Sequence, residues 1–129
     1  MNKDKILKDI EKLREDKSCS QSTLMGICNN SDCKLSQKEL ENLGSGFSGG
    51  IGGTFDEGTC GAVTGAIIAL GLLEEDPEKI KQYSKNLFEK FKDRYNSVRC
   101  DIISKKGEDK TPCVECCLYA GDIVADLLK

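Results

Sequence analysis

The chain has 129 residues and a formal net charge of -3 with acids and bases interspersed, so it offers no electrostatic footprint for nucleic acid. It has no tryptophan and few aromatic residues of any kind, which argues against base-stacking platforms as well. It has no histidine, which excludes a zinc finger of paired cysteines and histidines, a Ser-His-Asp triad, a Cys-His nucleophile and a C-x-x-C-H haem attachment. Eight cysteines remain (Cys19, Cys28, Cys33, Cys60, Cys100, Cys113, Cys116 and Cys117), and they make sulfur the abundant reactive group.

The length is that of one domain, 1–129, with an aliphatic core of Leu, Ile, Val and Ala. The amino terminus has no apolar h-region and no A-x-A site, and the longest apolar run, Ala66 to Leu73, is far short of the roughly 20 residues of a membrane span. A cytoplasmic protein without membrane contact is the expectation. In a reducing compartment a cysteine-rich domain binds metal or does redox chemistry more often than it is stapled by disulfides.

In chain order, Ile6, Leu7, Ile10 and Leu13 predict a helix from Lys3 to about Lys17. Cys19 begins a short apolar segment over Ser20 to Cys28, and Asn29 to Asp32 is a turn. Ser36-Gln-Lys-Glu39 is a capping box for a helix through Leu40 and Leu43 that ends at Gly44. The stretch Gly44 to Gly53 is dominated by glycine and cannot be regular structure. Thr59 is the predicted N-cap of a helix from Cys60 through Leu73, whose Gly61, Ala62, Gly65, Ala66 and Ala69 allow a backbone or cofactor to come close. Asp76-Pro77 opens a long helix with apolar positions from Ile80 to Tyr95. A short apolar piece, Cys100 to Ile103, and a polar loop, Ser104 to Lys110, precede a last helix capped by Thr111-Pro112. No window alternates with period two. The expected fold is all-α, one bundle of about five or six helices with a central glycine-rich loop.

Three constellations bear on chemistry. Gly44-x-Gly46-x-x-Gly49 matches the dinucleotide fingerprint formally, but it follows a helix rather than a strand and lacks a βαβ context. A better use for these glycines is to wrap backbone around a thiol or cluster and offer N–H donors to sulfur, which makes Gly49, Gly50, Gly52, Gly53 and Gly61 candidate cofactor-binding positions. Cys60, just inside a predicted helix start, should have a lowered pKa from the helix dipole, unless it is simply a buried structural thiol. Cys113-Val-Glu-Cys116 is a C-x-x-C in the first turn of the last helix, a spacing that binds one metal ion or closes a redox disulfide. Cys60, Cys113 and Cys116 are thus the redox-thiol candidates, with Cys117 read as core. Cys28 and Cys33, flanking the Asn29 to Asp32 turn, form a small-loop disulfide or an accessory site, or stay two unlinked thiols.

The order of these pieces resembles a bacterial and archaeal family named for its cysteine pattern, C_GCAxxG_C_C, whose members are classed as redox-active. The matching parts are Cys19-Ser-Gln-Ser, the glycine run Gly44 to Gly53, Gly58-Thr-Cys60-Gly61-Ala62-Val-Thr-Gly65-Ala66, Arg99-Cys100, and Cys113-Val-Glu-Cys116-Cys117 leading into Ala120-Gly-Asp-Ile-Val-Ala. The resemblance implies an all-helical fold with its four family cysteines at Cys19, Cys60, Cys100 and Cys113, and with Cys116 as a substitute for the last. A related domain carries an iron–sulfur site in split-Soret-type cytochromes; the missing histidines here remove the haem half of that analogy. The leading expectation is an electron-transfer protein whose thiolates Cys19, Cys60, Cys100, Cys113 and Cys116 hold an iron–sulfur cluster. A structural zinc site of four thiolates, a metal-free thiol/disulfide protein and a non-catalytic module that binds a partner through its glycine loop are the alternatives. A redox partner of unnamed identity is expected, and pairing into a homodimer is common for cofactor-bearing bundles of this size.

Overall fold

Local sequence sets each helix boundary in the computed structural model, which describes residues 1–54, 58–99 and 111–129. In α1 (Lys3–Leu13) the Asn2 side chain accepts from the Lys5 N–H at 3.1 Å, and Ile6 and Ile10 form the buried stripe. The helix ends at Leu13, short of the predicted Lys17. Arg14 Nη1 donates to the Lys17 carbonyl at 2.8 Å and folds the chain into a turn, so that Ser18 can take the extended conformation of an N-cap. α2 (Cys19–Cys28) then starts with a capping box, Ser18 to Gln21, and is buried along almost its whole length. α3 (Gln37–Ser45) starts with the predicted box, Ser36 to Glu39.

Residues 46–54 form successive turns, with positive φ at Gly49, Gly50, Gly52 and Gly53. A Cβ on Gly58 would sit 2.5 Å from the Gly50 Cα, so the glycine turns fold back directly onto the strand-like approach to Cys60. There Thr59 makes a single antiparallel bridge with Arg99. α4 (Gly61–Leu73) is apolar on nearly all sides. α5 (Pro77–Tyr95) has the predicted Asp76 cap and Pro77 start, and ends at Asn96 in the left-handed region with φ 61°. It buries only Leu87 and Phe91. α6 (Thr111–Leu127) is helical from Thr111 itself.

The fold is all-α, with six helices among the described residues. α2 is the central helix, packed by α1, α3, α4 and α6; α5 lies outside, against α4 and α6. Ile6, Ile10, Leu24, Ile27, Val63, Leu70 and Val124 form the aliphatic core, and burying each side chain contributes about 1.5–3 kcal/mol of transfer free energy. No described helix is long and apolar enough to cross a membrane.

Candidate functional site

The N-termini of α2, α4 and α6 converge, and each brings cysteine. Cys19 is the first residue of α2, Cys60 is the N-cap of α4, and Cys113, Cys116 and Cys117 lie in the first two turns of α6. Small residues make the convergence possible. A Cβ on Gly61 would stand 2.7 Å from the Ser20 amide nitrogen, and one on Gly65 would collide with the Ser20 carbonyl oxygen. The first turn of α2 therefore rests directly on the α4 backbone. Ser20 Oγ donates to the Gly44 carbonyl at 2.6 Å, and the Gln21 amide donates to Glu41 O at 3.3 Å and Ser45 Oγ at 2.9 Å, which locks the same turn to α3.

Cys19 is the half-buried sulfur of the group, while Cys60, Cys113, Cys116 and Cys117 are buried. Hydrogen bonds from the Cys113 and Cys117 thiols, then the Arg14 guanidinium, outweigh burial and pull the Cys19 thiol down to about 3. Its place at a helix N-terminus acts in the same direction. The neighbours move the opposite way. Cys113 and Cys117 are held protonated chiefly by donating to Cys19, with burial and the Cys19 charge adding to it. Burial works against the Arg14 charge, but the Cys19 sulfur more than offsets it and raises the guanidinium. As a neutral thiol Cys19 would donate to the Cys113 carbonyl, 3.9 Å away. That contact is long for a hydrogen bond, and the neighbouring thiols and the Arg14 cation favour the thiolate, the form we assign. Cys117 Sγ also lies 3.7 Å from the Cys19 carbonyl oxygen, which shares its proton.

A second pair lies beside the first. The Cys60 thiol donates to Cys116, and this bond, burial and the Cys19 charge together push it well up. This overturns the expectation of an acidified Cys60. Cys60 is the N-cap in place of Thr59 and makes no side-chain capping bond; the Ala62 amide favours its thiolate but is outweighed, so the dipole loses to burial and like charge. On the outer side, burial and then Cys116 raise the Tyr95 hydroxyl, which donates to Glu115 Oε1 at 3.3 Å. Phe91, Tyr95 and Tyr119 pack together at centroid distances of 4.8–6.4 Å, with the Arg94 guanidinium over Tyr119 at 4.4 Å.

Of the sequence candidates, Cys19, Cys60, Cys113 and Cys116 come together; Cys100 lies outside the described residues. Gly61 sits against Cys19 Cβ, and its small size serves backbone approach. The N–H groups of Gly52 and Gly53 donate to the Gly46 and Ser48 carbonyls at 2.8 Å, within their own loop. Among the described residues, no group of three or more Cys, Asp or Glu side chains is arranged to hold a metal ion. Two participants escape a reading of the sequence. Arg14 falls within a predicted helix face, and Cys117 reads as core. The acidity of Cys19 is legible in Ser18-Cys-Ser-Gln21, a capping box that places Cys19 at a helix start.

The chain matches no curated protein and no solved structure. A family model described as "Putative redox-active protein (C_GCAxxG_C_C)" matches residues 17–127, a span that contains every sulfur of the convergent site. With that span covering all but the ends of the chain and the cysteines gathered at three helix starts, the protein belongs to the C_GCAxxG_C_C family.

Proposed function

We propose that the protein performs thiol–disulfide exchange at Cys19, with Cys113 or Cys117 as the resolving thiol. One arrangement carries this reading: a half-buried Cys19 at a helix start, where the Arg14 guanidinium and the Cys113 and Cys117 thiols favour its thiolate. The Cys19 thiolate attacks one sulfur of an incoming disulfide, forming a mixed disulfide and expelling the other sulfur as a thiolate. The adjacent thiol then gives up its proton to that leaving thiolate or to water and attacks Cys19 Sγ. This closes an internal disulfide and releases the second substrate sulfur. Two electrons pass from the protein to the substrate, and the reverse direction runs through the same mixed disulfide. Losing the Cys19 charge in the first step removes one of the influences that keep Cys113 and Cys117 protonated, so the resolving thiol ionises more readily once it is needed.

The family order of Cys19, Cys60, Cys100 and Cys113 supports a second reading, an all-thiolate iron–sulfur or zinc site completed by Cys100. One preparation distinguishes the two. Protein purified anaerobically and reduced is analysed for iron, zinc and visible absorption, then treated with a pyridyl disulfide, trapped and mapped. Exchange predicts metal-free protein in which Cys19 becomes joined to Cys113 or Cys117, and no disulfide at Cys113 or Cys117 in Cys19→Ser. Stoichiometric iron with visible absorption, stoichiometric zinc, or unchanged exchange in Cys19→Ser overturns the exchange reading.

A further inference from the structure

Three polar side chains of α2 are wholly buried: Ser20, Ser22 and Thr23. Two of them are satisfied, since Ser20 Oγ donates to the Gly44 carbonyl at 2.6 Å and Ser22 Oγ to the Lys17 carbonyl at 3.5 Å. Among the described residues, Thr23 Oγ1 has no hydrogen-bond partner. A threonine inside a helix often turns its hydroxyl back onto the carbonyl four residues earlier, here that of Cys19. The Cys117 thiol is on that carbonyl instead, with Sγ 3.7 Å from the oxygen. The same oxygen accepts the Thr23 N–H in the α2 ladder, and helical side chains lean toward the N-terminus. Thr23 Oγ1 and Cys117 Sγ therefore share the Cys19 turn. The contact is reciprocated, because Cys19 Sγ lies 3.9 Å from the Cys113 carbonyl, which accepts the Cys117 N–H in α6. Two crossed contacts thus join Cys19 to Cys117, with an unsatisfied donor beside them.

We infer that Cys117, rather than Cys113, is the resolving thiol of the Cys19 exchange, and that the Thr23 hydroxyl positions its sulfur and holds the charge as it ionises. The inference rests on the exchange reading and narrows it to one pair. A substrate sulfur joined to Cys19 lies on the side that meets solvent, so the sulfur that displaces it attacks from the inner side. Cys117 has no exposed surface, and Cys113 keeps 5%. In this step the Cys117 S–H bond breaks and an S–S bond forms to Cys19. The bond from Cys19 to the substrate sulfur breaks, and that sulfur leaves with the proton as a thiol. Together with the first attack, two electrons pass from the protein to the substrate. Resting Cys117 is held protonated by its bond to Cys19, by burial and by the Cys19 charge, and the Thr23 hydroxyl works against them. The mixed disulfide removes the Cys19 charge, and the Thr23 O–H, with no other acceptor, then bonds the emerging thiolate. For Cys113 the opposing influence is the Arg14 charge, and that cation already faces Cys19 and donates to the Lys17 carbonyl. Cys113 keeps the other role, as the leading donor to resting Cys19.

The full-length protein, reduced, is mixed with a pyridyl disulfide, quenched with an alkylating agent at a series of times and mapped by peptide mass. The expected course is a mixed disulfide on Cys19 that decays into one Cys19–Cys117 bond. In Thr23→Val, where a methyl of similar size replaces the hydroxyl, the mixed disulfide should form at the wild-type rate. Its decay should then be about tenfold to a hundredfold slower. Thr23→Ser restores the hydroxyl and should restore the decay. A side chain that served packing alone would be matched by valine and not by the smaller serine. Decay as fast in Thr23→Val as in the wild type, or slow decay in both variants, therefore overturns the role of Thr23. Cys117→Ser should leave the mixed disulfide on Cys19 unresolved, and closure onto Cys113 at the wild-type rate in that variant overturns the assignment. A Cys19–Cys113 bond in the wild-type chain overturns the choice of Cys117 and leaves the exchange reading standing, whereas the absence of any disulfide at Cys19 overturns both.

Discussion

Changing pH should barely alter the reactivity of Cys19 across a range where an ordinary thiol loses nearly all of its own. With its pKa held at about 3 against an ordinary 9.0, Cys19 is ionised throughout the range from about pH 5 to 9. An ordinary thiol is about 1% ionised at pH 7 and about 0.01% at pH 5. Acidity also weakens the nucleophile. With a Brønsted slope of about 0.45, a pKa lower by about six makes the thiolate about 500-fold less reactive. The two effects together leave Cys19 about fivefold slower than an ordinary thiol at pH 7 and about twentyfold faster at pH 5, with a crossing near pH 6. Partial burial scales every rate and leaves the shape of the profile alone. The assay is a timed reaction with a pyridyl disulfide at a series of pH values, with the Cys19 peptide quantified by mass and a small-molecule thiol run in parallel. A Cys19 rate that falls about tenfold for each pH step from 8 to 5 would refute both the thiolate assignment and the role of the three helix starts.

Removing the leading donor should expose the cause. In Cys113→Ala, the pH at which Cys19 reactivity drops should rise from about 3 toward neutral, because the thiolate loses its strongest hydrogen bond while burial continues to oppose the charge; the same pH series reads it. Two glycine substitutions should differ in stability under urea denaturation. Gly65→Ala drives a methyl into the Ser20 backbone and should cost about 1–3 kcal/mol, while Gly121→Ala crowds the flexible end of Ile10, meets Ile6 and Leu7 at ordinary contact and gains helix propensity, for a change within about 1 kcal/mol. Equal losses at the two positions would mean that the α2–α4 approach is not the constraint.

Elements with local signals are legible in the chain. The Ser36 box, the Asp76-Pro77 start and the all-helical class follow from neighbouring residues and appear as expected. The meeting of Cys19, Cys60 and the α6 cysteines depends on which helices cross, and for that the family order is the one available pointer. The sign of the Cys60 shift escapes local reasoning because a helix dipole can be anticipated from neighbours, whereas burial and the charge of Cys19, forty-one residues away, cannot. Arg14 is hidden for a related reason. Its role depends on α1 ending early, and that end is set by a hydrogen bond to a carbonyl beyond the helix.

The shallow seating of α5 has a kinetic consequence. Two buried side chains, Leu87 and Phe91, anchor nineteen residues, so this helix should detach at a lower free energy than the α2–α4–α6 centre and show the earlier amide hydrogen exchange. Its carboxyl end carries Tyr95, the side chain that touches Cys116. Cys116 should therefore meet reagents at a pace set by how often α5 lifts, whereas Cys19 answers at the pace of its own chemistry. A single chain thus holds one sulfur governed by charge and a neighbouring one governed by breathing.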